Sequence, residues 1–386
     1  MSLPPPPGSF GSVPPNGGGG PSWGGQPQQQ GQPYGAPYPG QPGGQWGSPE
    51  QWAGGPPPNK GGKGKWILVG LALIAIIAVS IVGTVLVLRG DSGGNGSTLS
   101  AQNGNSDFAS ANDTGPANLI TEDPTCEAWT KIARDHYDKS ESVKWSERDP
   151  NVPASSWTAG QRDMYDTVAK SLENAADQAR QLAKKTPHRV MREIYGQFVA
   201  YASAFIDKIP SYAPDDNKLV IVVGAFTTAP ADICSAIKYG SVQPVAPLVA
   251  EPAPPSQIAP FDGTDTSQFL AGGNAVCSDW AAEVTGFASD TAKWREIDPN
   301  IPATEWSPEQ KAINDAVAPL ITANADKLEQ IGRDSDNPIF EDMAVLAAQY
   351  WRAFASVLPN YSSRDSYLSE SATVLSIAVN LACKAA

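Results

Sequence analysis

The sequence predicts a mainly α protein: a disordered N-terminal tail, one transmembrane helix and two tandem, disulfide-closed bundles of four-helix type. Three observations predict it. Residues 126 to 234 recur almost without gaps as residues 277 to 383. Residues 66 to 88 form one uncharged apolar run. Each copy of the repeat opens and closes with a cysteine, at Cys126 and Cys234 and at Cys277 and Cys383.

The repeat is read from one shared offset. An offset of 149 pairs Trp145 with Trp294, Asp149 with Asp298, Asn151 with Asn300 and Trp157 with Trp306. The same offset pairs Tyr201 with Tyr350, Phe205 with Phe354, Tyr212 with Tyr361 and Cys234 with Cys383. The organisation that follows is a tail over 1–65, a membrane helix over 66–88 and an extracytoplasmic stalk over 89–121. Repeat 1 occupies 122–240, a proline-rich linker 241–270 and repeat 2 271–386.

Residues 1–59 are largely Pro, Gly, Gln and Ser, with Glu50 as the one charged side chain. Such a segment cannot bury enough apolar surface to offset the entropy of ordering. Trp23, Tyr34, Tyr38, Trp46 and Trp52 are spaced among flexible residues, a pattern suited to weak multivalent contacts or to an inert leader.

Trp66 to Leu88 is 23 residues long, with Ser80 and Thr84 as its polar side chains. As a helix it would be roughly 35 Å long, enough for a hydrocarbon core of about 30 Å. It is too long, and too far from the start, for a cleaved signal peptide. Lys60, Lys63 and Lys65 precede it directly, so the positive-inside bias predicts a plasma-membrane signal anchor with a cytoplasmic N-terminus and an extracytoplasmic C-terminus. Residues 90–386 carry a net charge of about −16. That balance argues against nucleic-acid binding.

All four cysteines follow the apolar run, which fits an oxidising compartment. Four cysteines allow three pairings. The repeat favours Cys126–Cys234 and Cys277–Cys383, each closing its own copy. A bound zinc would need further Cys or His ligands, and repeat 2 has no histidine. No metal or cofactor is expected.

Within each copy, helix signals recur. Ser307-Pro308-Glu309-Gln310 offers an N-cap, a first-turn proline and a capping-box partner, and Thr158 and Gln161 take those places in repeat 1. The second helix of repeat 2 is expected to stop at Gly332. Third helices restart at Thr186-Pro187 and Asn337-Pro338. Leu219 to Val223 is β-branched and reads locally as a strand. It aligns with Leu368 to Ala372, where Ser369, Glu370 and Ser371 argue for helix, and the register is the stronger signal.

The candidate binding site is the repeated loop W-x3-D-P-N-[VI]-P-A-x2-W. Its members are Trp145, Asp149, Asn151 and Trp157, then Trp294, Asp298, Asn300 and Trp306. Trp and Pro can form a platform for sugar rings or peptide, with Asp and Asn directing hydrogen bonds. The stronger reading of the same residues is that the tryptophans plug the bundle while Asp and Asn bond to loop backbone. No catalytic motif accompanies them: neither repeat contains G-x-S-x-G or H-E-x-x-H. His136 and His188 have no repeat-2 equivalents, and His188 reads as a solvated face residue.

Pro4 to Pro7, Gly17 to Gly20, Gln28 to Gln30 and the Trp66 to Leu88 span resemble a type of actinobacterial, especially mycobacterial, single-pass cell-envelope protein. The resemblance covers about the first 120 residues and implies a membrane location. The expected function is non-enzymatic: extracytoplasmic helical domains that bind another envelope protein or a cell-wall component. The alternatives are a sensor or carrier of a small apolar ligand or lipid, and a degenerate cell-wall enzyme.

Overall fold

In both repeats the second helix starts at a reciprocal cap. The computed structural model describes residues 108–260 and 267–386; the tail and the 66–88 run lie outside them. Thr158 Oγ1 accepts from Gln161 N at 3.2 Å while Thr158 N donates to Gln161 Oε1 at 2.9 Å. Ser307 and Gln310 repeat this at 3.2 and 2.9 Å. These satisfy donors that a bare helix start would leave open.

Repeat 1 comprises α1 (Cys126–Ser142), α2 (Ala159–Lys185), α3 (Arg189–Lys208) and α4 (Asn217–Lys238). Repeat 2 comprises α5 (Cys277–Asp290), α6 (Pro308–Arg333), α7 (Pro338–Val357) and α8 (Ser366–Ala385). No strand occurs among the described residues. Leu219–Val223 is helical, within α4, so the repeat register outweighs local β-propensity there. Disulfides join Cys126 to Cys234 and Cys277 to Cys383, tying the first helix of each repeat to its last.

The same pairs of helices are pinned by tryptophans. Trp129, fully buried, donates through Nε1 to Thr227 O at 3.1 Å, and Trp280 does so to Ser376 O at 3.0 Å. Each ring removed from water contributes roughly 2–3 kcal/mol, and the bond removes the cost of a buried, unpaired N–H.

Two sequence expectations shift. Gly332 does not stop α6; the helix runs on to Arg333. A Cβ at Gly332 would collide with the Ala344 Cβ, so its role is the close approach of α6 and α7. His188 is not a freely solvated residue: it precedes α3, half-buried, with Nε2 2.8 Å from Glu122 O.

The repeats pack on each other along a seam. The most extensive interhelix packing between repeats is α4 on α8, supported by α3 on α7. Tyr239, at the end of α4, stacks on Tyr367, at the start of α8, at 4.8 Å and 10°. The helices are therefore antiparallel, as an approximate two-fold axis perpendicular to them gives. By length and composition one helix among those described, Pro214–Lys238, could cross a membrane. Just over half of that window is buried in the body. Its apolarity follows from covering repeat 1 on one side and α8 on the other.

Segments read from composition as stalk and spacer also lie on this body. Ser110, Ala117 and Ile120 are buried, and Arg189 Nη1 donates to Asp113 O and Gly115 O. Val242, Val245 and Leu270 are buried. Gln197 Nε2 donates to Ser267 O, and Asn337 Nδ2 to Phe269 O at 2.7 Å. The Phe269 ring stands between Phe226 of α4 (6.3 Å) and Phe340 of α7 (6.4 Å). Proline content alone does not reveal such anchoring, because it comes from a few interspersed apolar side chains.

Candidate functional site

The repeated loop joins the first helix of each repeat to the second and is folded back against the corner between the third and fourth. Three bonds fix it, and they recur in both copies. The closing tryptophan donates to a loop carbonyl: Trp157 Nε1 to Val152 O at 2.9 Å, Trp306 Nε1 to Ile301 O at 3.0 Å. A corner tyrosine donates to a loop proline: Tyr212 Oη to Pro150 O at 2.7 Å, Tyr361 Oη to Pro299 O at 2.6 Å. A backbone bond then ties loop to corner, Ala154 N to Tyr212 O and Ala303 N to Tyr361 O, both 2.9 Å.

Asp149 Oδ1 accepts from Asn151 N at 2.9 Å and from its Nδ2 at 3.0 Å; Asp298 and Asn300 repeat these distances. This is the Asx geometry by which a short carboxylate shapes its own turn. All four polar residues are exposed. The tryptophans face the other way. Trp157 and Trp294 are buried, Trp145 and Trp306 half-buried. The structure therefore brings all eight loop residues together in two sites of four, with indoles turned into the bundle and Asp and Asn at the tip.

Beneath the loops the two ends differ. In repeat 1, Tyr165 stacks on Trp157 at 3.9 Å and meets Trp145 edge-on at 4.8 Å. The Arg148 guanidinium lies 3.7 Å over the Trp145 ring, and its Nη2 donates to Asn217 Oδ1. In repeat 2 the place of Tyr165 is taken by Asn314, that of Arg148 by Ile297 and that of Asn217 by Ser366. Asn314 Oδ1 accepts from Trp294 Nε1 at 3.1 Å. A cavity of about 30 Å³ opens there, lined by Trp294, Trp306, Asn314, Phe354 and Tyr361. That is room for a water or two, far from the space an acyl chain needs.

Sequence reading missed Tyr165, Asn314 and Arg148. The available signal was negative: they are places inside the repeat where the offset pairs unlike residues. Burial raises the Tyr212 phenol, with Tyr165 beside it, so the group remains a donor to Pro150 at neutral pH.

A second concavity, a polar surface groove of about 640 Å³, runs between α1 and α2 of repeat 1. His136 Nδ1 lies 2.8 Å from Ser171 Oγ in it. Burial pushes the His136 pKa down to about 4, so the imidazole is neutral at physiological pH. Counted from the first cysteine of each repeat, His136 corresponds to Phe287, and the offset of 149 pairs Ser171 with Leu320, which makes the pair a feature of one copy. Among the described residues no group of three or more His, Cys, Asp or Glu is placed to hold a metal.

Comparison with known proteins agrees with the mycobacterial resemblance. A protein of Mycolicibacterium smegmatis (strain MKD8), itself described as uncharacterised, is 40% identical over 339 residues, covering 87% of this chain and 90% of its own length. No solved structure matches. Residues 108–386, the two repeats with their N-terminal and connecting segments, match the family described as mycobacterial ESX-1 associated protein. The chain belongs to the mycobacterial ESX-1 associated protein family.

Proposed function

We propose that this chain is a non-enzymatic, secretion-system-related adaptor. In this reading the 66–88 helix anchors it in the plasma membrane, N-terminus in the cytoplasm, and displays the two-repeat body on the extracytoplasmic side. Each end of that body contacts another protein or an envelope component. The family's ESX-1 association gives the biological setting.

The observation that carries the binding part is the placement of two pre-shaped loops. Each is clamped by three bonds, so its exposed Asp–Asn tip loses little freedom on binding. The antiparallel seam puts the tips at opposite ends of the body. From the α4–α8 register they are separated by about 30 Å, at 1.5 Å per residue. Two sites facing apart suit the bridging of two partners better than a double grip on one, where avidity would require both to reach the same surface. The water-sized cavity under the repeat-2 loop gives no support to carriage of an apolar ligand or lipid.

Photo-crosslinking side chains at Ser155 and Thr304 in the full chain, expressed in a mycobacterium, test the proposal. Crosslinked partners are expected from both positions and not from Gln178 on α2. Crosslinks from Gln178 alone, or from none of the three, would remove the loops from the account.

A further inference from the structure

Glu193 of α3 and Asp342 of α7 are equivalent residues of the two repeats, and the approximate two-fold brings them together across the seam. Asp342 is bound in two-pronged fashion by Arg189, Nε to Oδ2 at 2.7 Å and Nη2 to Oδ1 at 2.8 Å. Glu193 is buried, and neither of its carboxyl oxygens meets a hydrogen-bond donor. The nearest cation, Arg192, stands off at 4.0 Å. A second acid pair lies further along the seam, where Asp232 of α4 and Glu370 of α8, both half-buried, are within electrostatic reach across two packed helices. A buried carboxylate without donors is costly, whereas the protonated form brings its own donor.

We propose that the seam is a proton-held joint. Glu193 and the Asp232–Glu370 pair carry protons in the closed body, and their ionisation loosens α3 from α7 and α4 from α8. A protonated Glu193 supplies the donor its surroundings lack and directs it to the Asp342 carboxylate. The groups acting on Glu193 are Asp342 from α7 and Arg189 and Arg192 from α3, with Asp113 of the N-terminal segment acting on both arginines. Those around the second pair are Ser366 and Tyr367 at the start of α8, Tyr361 before it and Tyr239 at the end of α4. None of that second set is a cation.

Burial, then the Asp342 charge, raises Glu193 well above the ordinary carboxyl range, and the two arginines only partly offset this. Burial also raises Asp232, with Glu370 adding to it, and raises Glu370. For an acid raised in the folded state, the contribution is fully present below its unfolded value near 4.5 and is lost as pH climbs through the folded value. The joint therefore tightens in acid and loosens toward alkaline pH, whatever the loops bind.

Infrared spectroscopy of the full chain decides the matter. The wild type is expected to keep a protonated-carboxyl carbonyl band at pH 7, reduced in Glu193→Gln and in the Asp232→Asn/Glu370→Gln double variant. In urea titrations run upward from about pH 4.5, the folding equilibrium of the wild type should fall by up to tenfold per pH unit for each of these groups that is ionised in the unfolded chain and still protonated in the folded body. Glu193→Gln should flatten that slope, while Glu305→Gln, exposed on the repeat-2 loop, should follow the wild type. If Glu193→Gln does not fold, the wild-type band still tests the idea. A wild type with no such band at pH 7, or variants whose pH slopes match it, would overturn the joint.

Discussion

The two ends of this body share a backbone clamp and differ in what fills it. At the repeat-1 end, Tyr165 stacks on Trp157 and meets Trp145 edge-on, with Arg148 laid over the Trp145 ring. At the repeat-2 end, an Asn314–Trp294 hydrogen bond and a small cavity take their place. The three bonds that fix the loop, by contrast, recur within about 0.1 Å. The repeated residues of the motif thus hold the loop's shape, and the unrepeated ones beneath it set each end's packing. A motif duplicated bond for bond can be a clamp first, and present a surface only at its tip.

The largest effects should come where the repeats are most alike. Their disulfides close loops of 108 and 106 residues. Removing either pair, as Cys126→Ser/Cys234→Ser or Cys277→Ser/Cys383→Ser, should therefore cost nearly the same, up to about 4–5 kcal/mol on the chain-entropy model. Urea unfolding of the two variants measures this. A large inequality would mean that packing differences, not covalent closure, dominate.

The fillers should respond unequally. Tyr165→Ala removes a buried ring from four aromatic neighbours and should cost about 3–4 kcal/mol. Asn314→Ala removes one hydrogen bond and leaves the Trp294 N–H without its acceptor, for about 1–2 kcal/mol. Equal losses would contradict the contrast between a ring-packed and a hydrogen-bonded end.

His136 sharpens the comparison through pH. Its folded pKa near 4 lies below the ordinary 6.5 because of burial. The unfolded chain therefore binds the proton more readily, and stability should fall as pH drops from about 6.5 toward 4. The loss amounts to at most about 3 kcal/mol, less where water still reaches the half-buried ring. His136→Phe, which installs the repeat-2 residue, should abolish that acid-side slope in denaturation curves and leave the alkaline side unchanged. Smallest of all, Thr158→Ala and Ser307→Ala should each cost about 1 kcal/mol in thermal unfolding, by equal amounts because their capping boxes match.

Much of this architecture was legible in the chain. Ser307 and Gln310 announced a helix start by chemistry alone, and the register carried Leu219–Val223 into a helix against its own propensity. What stayed hidden was relational. Glu193 and Asp342 look like ordinary helical acids until the two-fold sets them face to face. Phe269, in a proline-rich stretch, gives no sign that it wedges between α4 and α7. The direction in which the loop tryptophans point was equally unreadable, because an indole suits a platform and a plug alike.

The central claim is that both repeats form a single stiff body with its loops at opposite ends. Spin labels on cysteines introduced at Ser155 and Thr304 test it most directly, since among the described residues every native cysteine is engaged in a disulfide. Pulsed electron resonance on the full chain should give one narrow distance distribution, centred at about 30 Å or beyond. A broad distribution, of the kind two domains on a loose tether would give, would contradict the account.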